Sequence, residues 1–362
     1  MSASERPYFS IVVPCCGVGR YVAEVVDSLL GQDFADWECI LSYEESSDDT
    51  WSVCEEMTKR DPRIRLVNCG PRSGSPATPR NRAFEQVCGE YVIWVDGDDY
   101  LADGALATLA KGIRAAPERP DLVQGVIVEF FEALNGVRTF KAREFNFTPE
   151  EDGNVYTGVD ALYRIFQHKY VWPMVTLSIC RSDFLREKKI RFCDGLVYED
   201  EEWTPRVLAL SEHVLVLNFE FYHYRRREGS VTRTTDENRR LEHYASVARS
   251  QFLFFAAKDL PAKVARVVSR YYIDRFLEVF FEPHPVTTPV SPLGLTQSLR
   301  RLLADGGRAA LWRLARHESL AKRLGVALLM LAGIRPVLDL PARAYLNLYY
   351  RFVIWRVRTR GY

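Results

Sequence analysis

Three carboxylates stand within four residues, in the segment Asp96-Gly97-Asp98-Asp99, directly after a short apolar run that ends at Val95. Like charges this close repel one another, and a divalent cation would relieve the repulsion by accepting hard oxygen ligands. Mg²⁺ or Mn²⁺ held in this way can bridge a diphosphate. The alternative is a turn followed by a helix N-cap, because Asp favours both positions.

A second acidic cluster occurs at Glu199-Asp200-Glu201-Glu202. Crowding by like charges raises the pKa of a carboxylate, which would make one of these groups a better general base at neutral pH. The plainer interpretation is the solvated first turn of a helix. The residues alone leave both interpretations open.

The elements around the first cluster alternate regularly between strand and helix. Apolar runs predict strands at 8–14, 38–43, 64–68 and 91–95, and helical spacing predicts helices at about 21–30, 50–59, 79–87 and 105–115. This alternation is typical of an α/β fold with a mostly parallel sheet. Ligands of such sheets bind beyond the carboxyl ends of the strands, where Cys15, Glu44 and Asp96 follow their strands.

The rest of the chain divides into two parts. Further strands are predicted at 122–129 and 214–219, and we assign residues 1–233 to one catalytic domain. From about residue 236 the pattern becomes helical, so residues 234–362 are predicted to form a helical C-terminal region.

The charges are unevenly distributed. Lys+Arg and Asp+Glu both number 48, but thirteen of the basic and only three of the acidic residues lie from residue 300 onward. The chain as a whole lacks the positive charge of a nucleic-acid-binding protein, and we predict no such partner. The basic, aromatic-rich tail fits either an anionic membrane surface or a helical bundle packed on the catalytic domain or on a second copy of the chain.

The sequence also bears on the compartment. The longest apolar run, 324–334, has eleven residues, whereas a helix needs about 20 to cross a bilayer. The eight cysteines include no Cys-x-x-Cys pair, and the first residues lack the pattern of a signal peptide. We therefore predict a cytoplasmic protein, either free or peripheral at the inner face of the cell membrane.

Five ordered segments resemble the family-2 glycosyltransferases, which have the GT-A fold. They are the strand 11–14, the Ser-Leu-Leu-Gly-Gln helix end at 28–32, the acidic segment 44–49, Arg80-Asn81, and the Gly-Glu-Tyr to Asp-Gly-Asp-Asp element at 89–99. Residues 198–203 and 222–230 resemble two later segments of that family. The resemblance covers residues 8–233 and implies a GT-A domain followed by a helical extension.

The resemblance also implies roles for individual residues. Asp200 corresponds to the general base, Asp98 to the metal-binding carboxylate, and Asp96 to the carboxylate that faces the ribose and the metal. His223 lies where many relatives place a third metal ligand or a diphosphate contact, although a lone His between two tyrosines also fits a packed core. The remaining nucleotide-sugar contacts are Pro14 at the end of the first strand, Glu44 and Arg80 at the base, and Arg227 and Ser230 at the diphosphate.

These roles predict a metal-assisted, inverting glycosyltransferase. It would use Mg²⁺ or Mn²⁺ and move a sugar from a nucleotide-diphosphate donor to a hydroxyl of a glycan or lipid-linked glycan. UDP is the family's usual nucleotide, but Tyr43-Glu44-Glu45-Ser46 stands where relatives have Asp-Asp-Gly-Ser, which leaves the base open. The alternative function is a non-catalytic module that binds a nucleotide sugar or glycan, or serves as a scaffold.

Overall fold

A computed structural model describes residues 6–132, 138–144, 146–167, 173–226, 237–281, 298 and 300–315. The described residues fall into two compact units: those within 1–165 and 171–230, and those within 166–170 and 231–362. The functions that the sequence assigned to the two regions on either side of residue 233 stay predictions.

The first unit is built on one sheet of ten strands. They are β1 (Phe9–Cys15), β2 (Trp37–Tyr43), β3 (Ile64–Asn68), β4 (Tyr91–Trp94), β5 (Tyr100–Leu101), β6 (Leu122–Glu132), β7 (Arg138–Glu144), β8 (Val155–Tyr156), β9 (Ser178–Arg181) and β10 (Val214–Arg226). Their order is β3-β2-β1-β4-β9-β6-β10-β5, with β7 beside β6 and β8 beside β10.

The sheet is parallel in two parts that an antiparallel strand joins. β3, β2, β1 and β4 pair in parallel, as do β6 and β10. The short strand β9 lies between these parts and pairs antiparallel with both β4 and β6. The predicted α/β fold is confirmed, with β9 as an addition that the sequence did not indicate.

Seven helices accompany the sheet in the described part of the chain before residue 230. They are α1 (Gly19–Leu30), α2 (Thr50–Thr58), α3 (Ala77–Phe84), α4 (Ala105–Ala115), α5 (Gly158–Gln167), α6 (Ser182–Glu187) and α7 (Glu199–Leu210). Every strand and helix predicted between residues 8 and 115 is present, with ends within three residues of the predicted ones.

Apolar periodicity explains why these elements pack. Helix α1 buries Val22, Val25, Val26 and Leu29, which recur on one face, against the fully buried side chains of β1. Each such side chain contributes about 1.5–3 kcal/mol when it leaves water. Cys15, Cys39 and Cys54 are also fully buried in this core, where thiols behave as small apolar groups.

Strand β10 runs seven residues further than the sequence predicted. Its end pairs with β5, which places Tyr222 opposite Leu101 and His223 opposite Tyr100. Because β5 begins directly after Asp99, this pairing brings the last residues of β10 alongside the acidic segment.

The second unit is helical where it is described, as predicted. It contains α8 (Glu237–Ala256), α9 (Ala262–Phe281) and α10 (Gly307–Ala315). Arg313 in α10 donates a hydrogen bond to the carbonyl of Ala256 in α8 at 2.9 Å. Among the described residues, none of the helices combines the length and the apolar character needed to span a bilayer.

Candidate active site

The acidic segment forms a tight turn between β4 and β5, held close to the end of β1. The amide of Asp99 donates to the carbonyl of Asp96 at 3.0 Å. A Cβ atom on Gly97 would come within 2.7 Å of the carbonyl oxygen of Pro14 and 2.9 Å of Val18. Only glycine therefore lets the turn lie against the carboxyl end of β1, which places Pro14 beside the acidic segment.

The three carboxylates of this turn have different surroundings. Asp99 is 1% exposed and accepts hydrogen bonds from the Tyr222 hydroxyl at 2.6 Å and from the backbone amide of Arg225 at 2.7 Å. Burial, followed by the charges of Asp98 and Asp96, raises the pKa of Asp99 well above its usual range. Asp99 thus fixes the turn to β10, while Asp96 and Asp98 remain partly exposed.

Arg225 is the main anchor of the turn. Its guanidinium is buried, donates from Nε to the backbone carbonyl of Asp98 at 2.8 Å, and forms ion pairs with Glu24 and Glu132. Arg138 pairs with the same two glutamates. This network ties α1, β6 and β7 to the backbone at Asp98.

Arg80 joins the acidic turn to the start of α7. The residue is 2% exposed, and its guanidinium pairs through Nη2 with Asp96 and through Nη1 with Glu199, both at 2.5 Å. Burial lowers the pKa of Arg80, but the charges of Asp96 and Glu199 outweigh that effect and raise it. Asp96, predicted to face the donor, and Glu199, next to the predicted general base, therefore pair with the same buried arginine.

The predicted general base follows Glu199 directly. Tyr198 has a left-handed backbone with φ of 71°, which is uncommon outside glycine, and α7 begins at the next residue. Asp200 is partly buried; burial first, then the charges of Glu199 and Glu201, raise its pKa well above the usual range, and the charge of Arg80 opposes them. A carboxylate of this kind suits proton abstraction at neutral pH.

The part of the predicted site that would hold the nucleotide base lies at the end of β2. Glu44 is 2% exposed and accepts hydrogen bonds from the amide and the hydroxyl of Ser73, at 3.2 and 3.0 Å. Its Oε1 has no hydrogen-bond partner among the described residues. Burial raises the pKa of this carboxyl, against the opposing effect of the Ser73 hydrogen bonds. An unsatisfied buried acceptor of this kind is a place for a ligand's N–H group.

His223, the predicted third metal ligand, packs among aromatic side chains. Its ring packs edge-on against Tyr100 and Phe140, with ring centroids 4.7 and 5.3 Å apart. Successive side chains of a strand point to opposite faces, and the neighbouring Tyr222 points to Asp99. The structure thus does not bring the His223 ring together with the acidic turn; burial lowers the pKa of His223. Its role as a metal ligand stays a prediction, and Arg227 and Ser230 lie outside the described residues.

The residues present fit a divalent cation only in the company of a ligand. Within the described ranges, no three Asp, Glu, His or Cys side chains are grouped closely enough to hold a metal. Asp96 and Asp98 are nevertheless adjacent and partly exposed. Mg²⁺ is commonly held by one or two carboxylates together with substrate phosphates, which matches a site of two carboxylates.

Sequence reasoning did not assign roles to Tyr222, Tyr224 and Arg225, although all three stand in a segment that it singled out. Tyr224 is partly buried, and burial first, then the charges of Asp99, Asp96 and Asp98, raise its pKa. The period-two spacing of Tyr222 and Tyr224 was the available signal for a strand that lines the site.

Known proteins are similar to this chain in both sequence and fold. The family model described as Glycosyl transferase family 2 matches residues 10–169. Glycosyltransferase GlyG of Streptococcus pneumoniae is 26% identical over 227 residues, covering 62% of this chain and 73% of its own length. Glycosyltransferase EpsJ of Bacillus subtilis is 25% identical over 303 residues, covering 82% and 84%.

TarS of Staphylococcus aureus, a poly(ribitol-phosphate) β-N-acetylglucosaminyltransferase, is 26% identical over 225 residues, or 61% of this chain and 36% of its own length. The crystal structure of TarS residues 1–349 with UDP-GlcNAc superposes with a TM-score of 0.70, at 21% identity over 95% of this chain and 91% of that one. This likeness establishes the GT-A fold. The family match over residues 10–169 and the curated relatives show that this chain carries a glycosyl transferase family 2 domain and is a glycosyltransferase.

Proposed function

We propose that the chain transfers a sugar from a UDP-sugar to a hydroxyl of a glycan or lipid-linked glycan, with inversion and with Asp200 as the general base. The observation that carries this proposal is the buried bridge from Asp96 through Arg80 to Glu199, the residue before Asp200. Two acidic clusters 100 residues apart in the sequence thereby line one site.

The nucleotide would bind at the carboxyl ends of β1, β2 and β4. Glu44 offers its unpartnered oxygen to an N–H of the base, and Pro14 lines the floor beside Gly97. Uracil is the base we propose, because it carries an N–H next to two carbonyl groups, and because the related TarS was crystallised with UDP-GlcNAc.

The leaving diphosphate must be stabilised as negative charge develops on it. Asp98 and Asp96 would hold Mg²⁺ or Mn²⁺ against the phosphates, and this cation would supply charge stabilisation to the leaving group. Arg225 keeps the backbone at Asp98 in place through its hydrogen bond to the carbonyl. In this proposal, Arg227 and Ser230 are further diphosphate contacts.

The acceptor hydroxyl must lose its proton as it attacks the anomeric carbon. Asp200, with its raised pKa, would accept that proton, a role commonly worth about 10²- to 10⁴-fold in rate. With the base on the face opposite the leaving group, the acceptor oxygen forms its bond to the anomeric carbon as the bond to the diphosphate oxygen breaks, and this single displacement inverts the configuration.

The basic C-terminal region would hold the enzyme at an anionic membrane. In α10, Trp312 is 52% exposed, and Arg308, one helical turn before it, is exposed as well. An exposed aromatic near arginine is typical of helices that lie at lipid headgroups.

The rest of the basic tail is tested by deleting 336–362, a segment outside the described residues. The deletion should reduce co-sedimentation with phosphatidylglycerol vesicles, and neutral vesicles should bind neither form. Equal binding after the deletion would contradict this role.

The transfer activity itself is tested by a panel of nucleotide sugars. Stabilisation of the purified protein by UDP-sugars in the presence of Mn²⁺, and release of UDP that stops when EDTA removes the metal, are the expected results. Stabilisation without UDP release from any donor, with and without glycan acceptors, would instead favour the binding-module alternative.

A further inference from the structure

Arg80 donates from each of its two terminal nitrogens to a protein carboxylate, and its buried Nε has no hydrogen-bond partner among the described residues. Nη2 pairs with Asp96 and Nη1 with Glu199, and the side chain is only 3% exposed. Both ion pairs are thus with carboxylates of the protein itself, whereas the family resemblance places Arg80 at the nucleotide base. Its geometry instead joins the end of β4 to the first residue of α7.

Neighbouring residues fasten the same segment by neutral hydrogen bonds. Asn81 exchanges two hydrogen bonds with the backbone of Phe192, at 2.9 and 3.0 Å, and Ser75 donates to the carbonyl of Leu196 at 2.5 Å. These contacts attach α3 and the loop before it to the chain leading into α7. They attach the segment before α7 without a buried charge, but none of them reaches α7 itself.

The buried charges call for an explanation of their own. Taking an arginine and two carboxylates out of water is costly, and an apolar cluster of similar volume is often at least as stable. The pairs with Asp96 and Glu199 nonetheless fix two carboxylates at a defined separation on opposite sides of one rigid, planar group. Such a pair of ion pairs is useful where the relative position of the two carboxylates matters more than the stability of the fold.

We propose that Arg80 is a positioning residue of the transfer reaction, which sets the distance between the donor bound at Asp96 and the carboxylate of Asp200. The inference rests on the proposed function. Its physical basis is that transfer requires donor, acceptor and base in line, and that a displacement of about 1 Å can cost roughly 10²-fold in rate.

The test uses Glu199→Gln in the full-length protein. This variant keeps the Arg80–Asp96 pair and removes only the charge that holds α7. We expect the Kd for UDP in the presence of Mn²⁺ to be unchanged, because the donor side is intact. The kcat for hydrolysis or transfer with the UDP-sugar that the wild type turns over fastest should fall roughly 10²-fold.

Two Arg80 variants give a graded series. Arg80→Lys retains a positive charge but lacks the planar fork, so it can pair well with one carboxylate at a time. We expect its kcat to lie between those of the wild type and Arg80→Gln. Equal kcat values for the two Arg80 variants would contradict a positioning role that depends on the fork.

Arg181→Lys is the matched control. Arg181 pairs with Asp121 at 2.6 Å, also with little exposure, and contacts none of the acidic residues described above. We expect it to lose comparable stability with an unchanged kcat. A kcat that follows the loss of stability equally in both sets of variants would make Arg80 a structural brace only.

Chemical rescue separates positioning from base catalysis. Added azide or formate should partly restore turnover to Asp200→Ala, where a base is missing, and not to Glu199→Gln. Rescue of Glu199→Gln would make Glu199 the base and overturn the assignment. If the wild type turns over no donor, the proposed function fails and the inference fails with it; if only Glu199→Gln behaves like the wild type, the inference alone fails.

Discussion

At the residue scale, three aspartates of the candidate site differ in their surroundings. Asp99 is sealed beneath Tyr222 and Arg225, Asp96 contacts a buried arginine, and Asp200 lies among like charges at the start of a helix. The sequence identified all three as acids near a strand or helix end. It could not distinguish the buried Asp99 from the partly exposed Asp96 and Asp200, because the burial of Asp99 depends on its contacts with β10.

Removing the Tyr222 hydroxyl tests how the turn is held. In Tyr222→Phe, the buried Asp99 loses a donor at 2.6 Å and the Asp96 amide loses its acceptor at 3.0 Å. Leaving such groups unsatisfied should cost about 1–3 kcal/mol of stability and weaken UDP binding in the presence of Mn²⁺. Denaturant unfolding and calorimetric titration measure the two effects.

Tyr91→Phe is the matched control, because the Tyr91 hydroxyl is buried and donates to the Pro120 carbonyl at 3.1 Å, away from the turn. It should lose a similar amount of stability and bind UDP as the wild type does. Unchanged UDP binding in both variants would mean that Tyr222 does not support the donor site.

The raised pKa of Asp200 predicts a pH dependence. A base must be ionised, so turnover should fall as the pH drops through this raised pKa. The acid limb of the kcat profile should therefore lie above the ordinary Asp value of about 3.9.

The same raised pKa affects stability. Because folding raises the pKa of Asp200, ionisation of this carboxyl lowers the stability of the fold. Asp200→Asn should therefore be more stable than the wild type at pH 8, with the difference vanishing below about pH 4. An acid limb near pH 4, or a variant less stable at pH 8, would argue against this.

At the element scale, the close approach of the acidic turn to β1 depends on Gly97. Gly97→Ala would place a methyl group 2.7 Å from the Pro14 carbonyl, so the turn or the strand must shift. We expect a loss of about 1–3 kcal/mol in denaturant unfolding and weaker UDP binding, because Asp96 and Asp98 move with the turn. Gly31→Ala, where the nearest atom is 3.3 Å away, should change both properties much less.

The elements themselves were predictable where their pattern is local. The strands and helices up to residue 115 follow from apolar periodicity and from punctuation by Pro14 and Gly31, and their parallel pairing follows from the alternation. Strands β5, β8 and β9 have two to four residues each, too few for a period to be seen. They exist because distant partners pair with them, which single-sequence reasoning does not detect.

The candidate site shows the same division. The resemblance of the motifs led to Glu44, Asp96, Asp98 and Asp200, and the structure joins the end of β4 to the start of α7 through Arg80. The partner of Arg80, by contrast, is 119 residues away in the sequence. Nothing local to Arg80 indicates that its guanidinium bridges two carboxylates.

At the scale of the whole molecule, the chain separates an acidic body from a basic tail. The sheet and its helices have their own continuous core, from Phe9 in β1 to Tyr222 in β10. We therefore expect residues 1–233 expressed alone to unfold in one cooperative transition and to bind UDP with Mn²⁺ as the full chain does. Aggregation of this fragment, or a broad transition without UDP binding, would show that the first unit depends on the second.

We propose that Asp200 accepts the proton of the acceptor hydroxyl while Asp96 and Asp98, after β4, hold the donor. The most direct measurement compares UDP binding and sugar turnover, both with Mn²⁺, in the wild type, Asp98→Asn and Asp200→Asn. The account predicts that Asp200→Asn binds UDP like the wild type but loses roughly 10²- to 10⁴-fold in kcat, and that Asp98→Asn loses metal-dependent UDP binding. Turnover retained by Asp200→Asn, or UDP binding unaffected in Asp98→Asn, would contradict it.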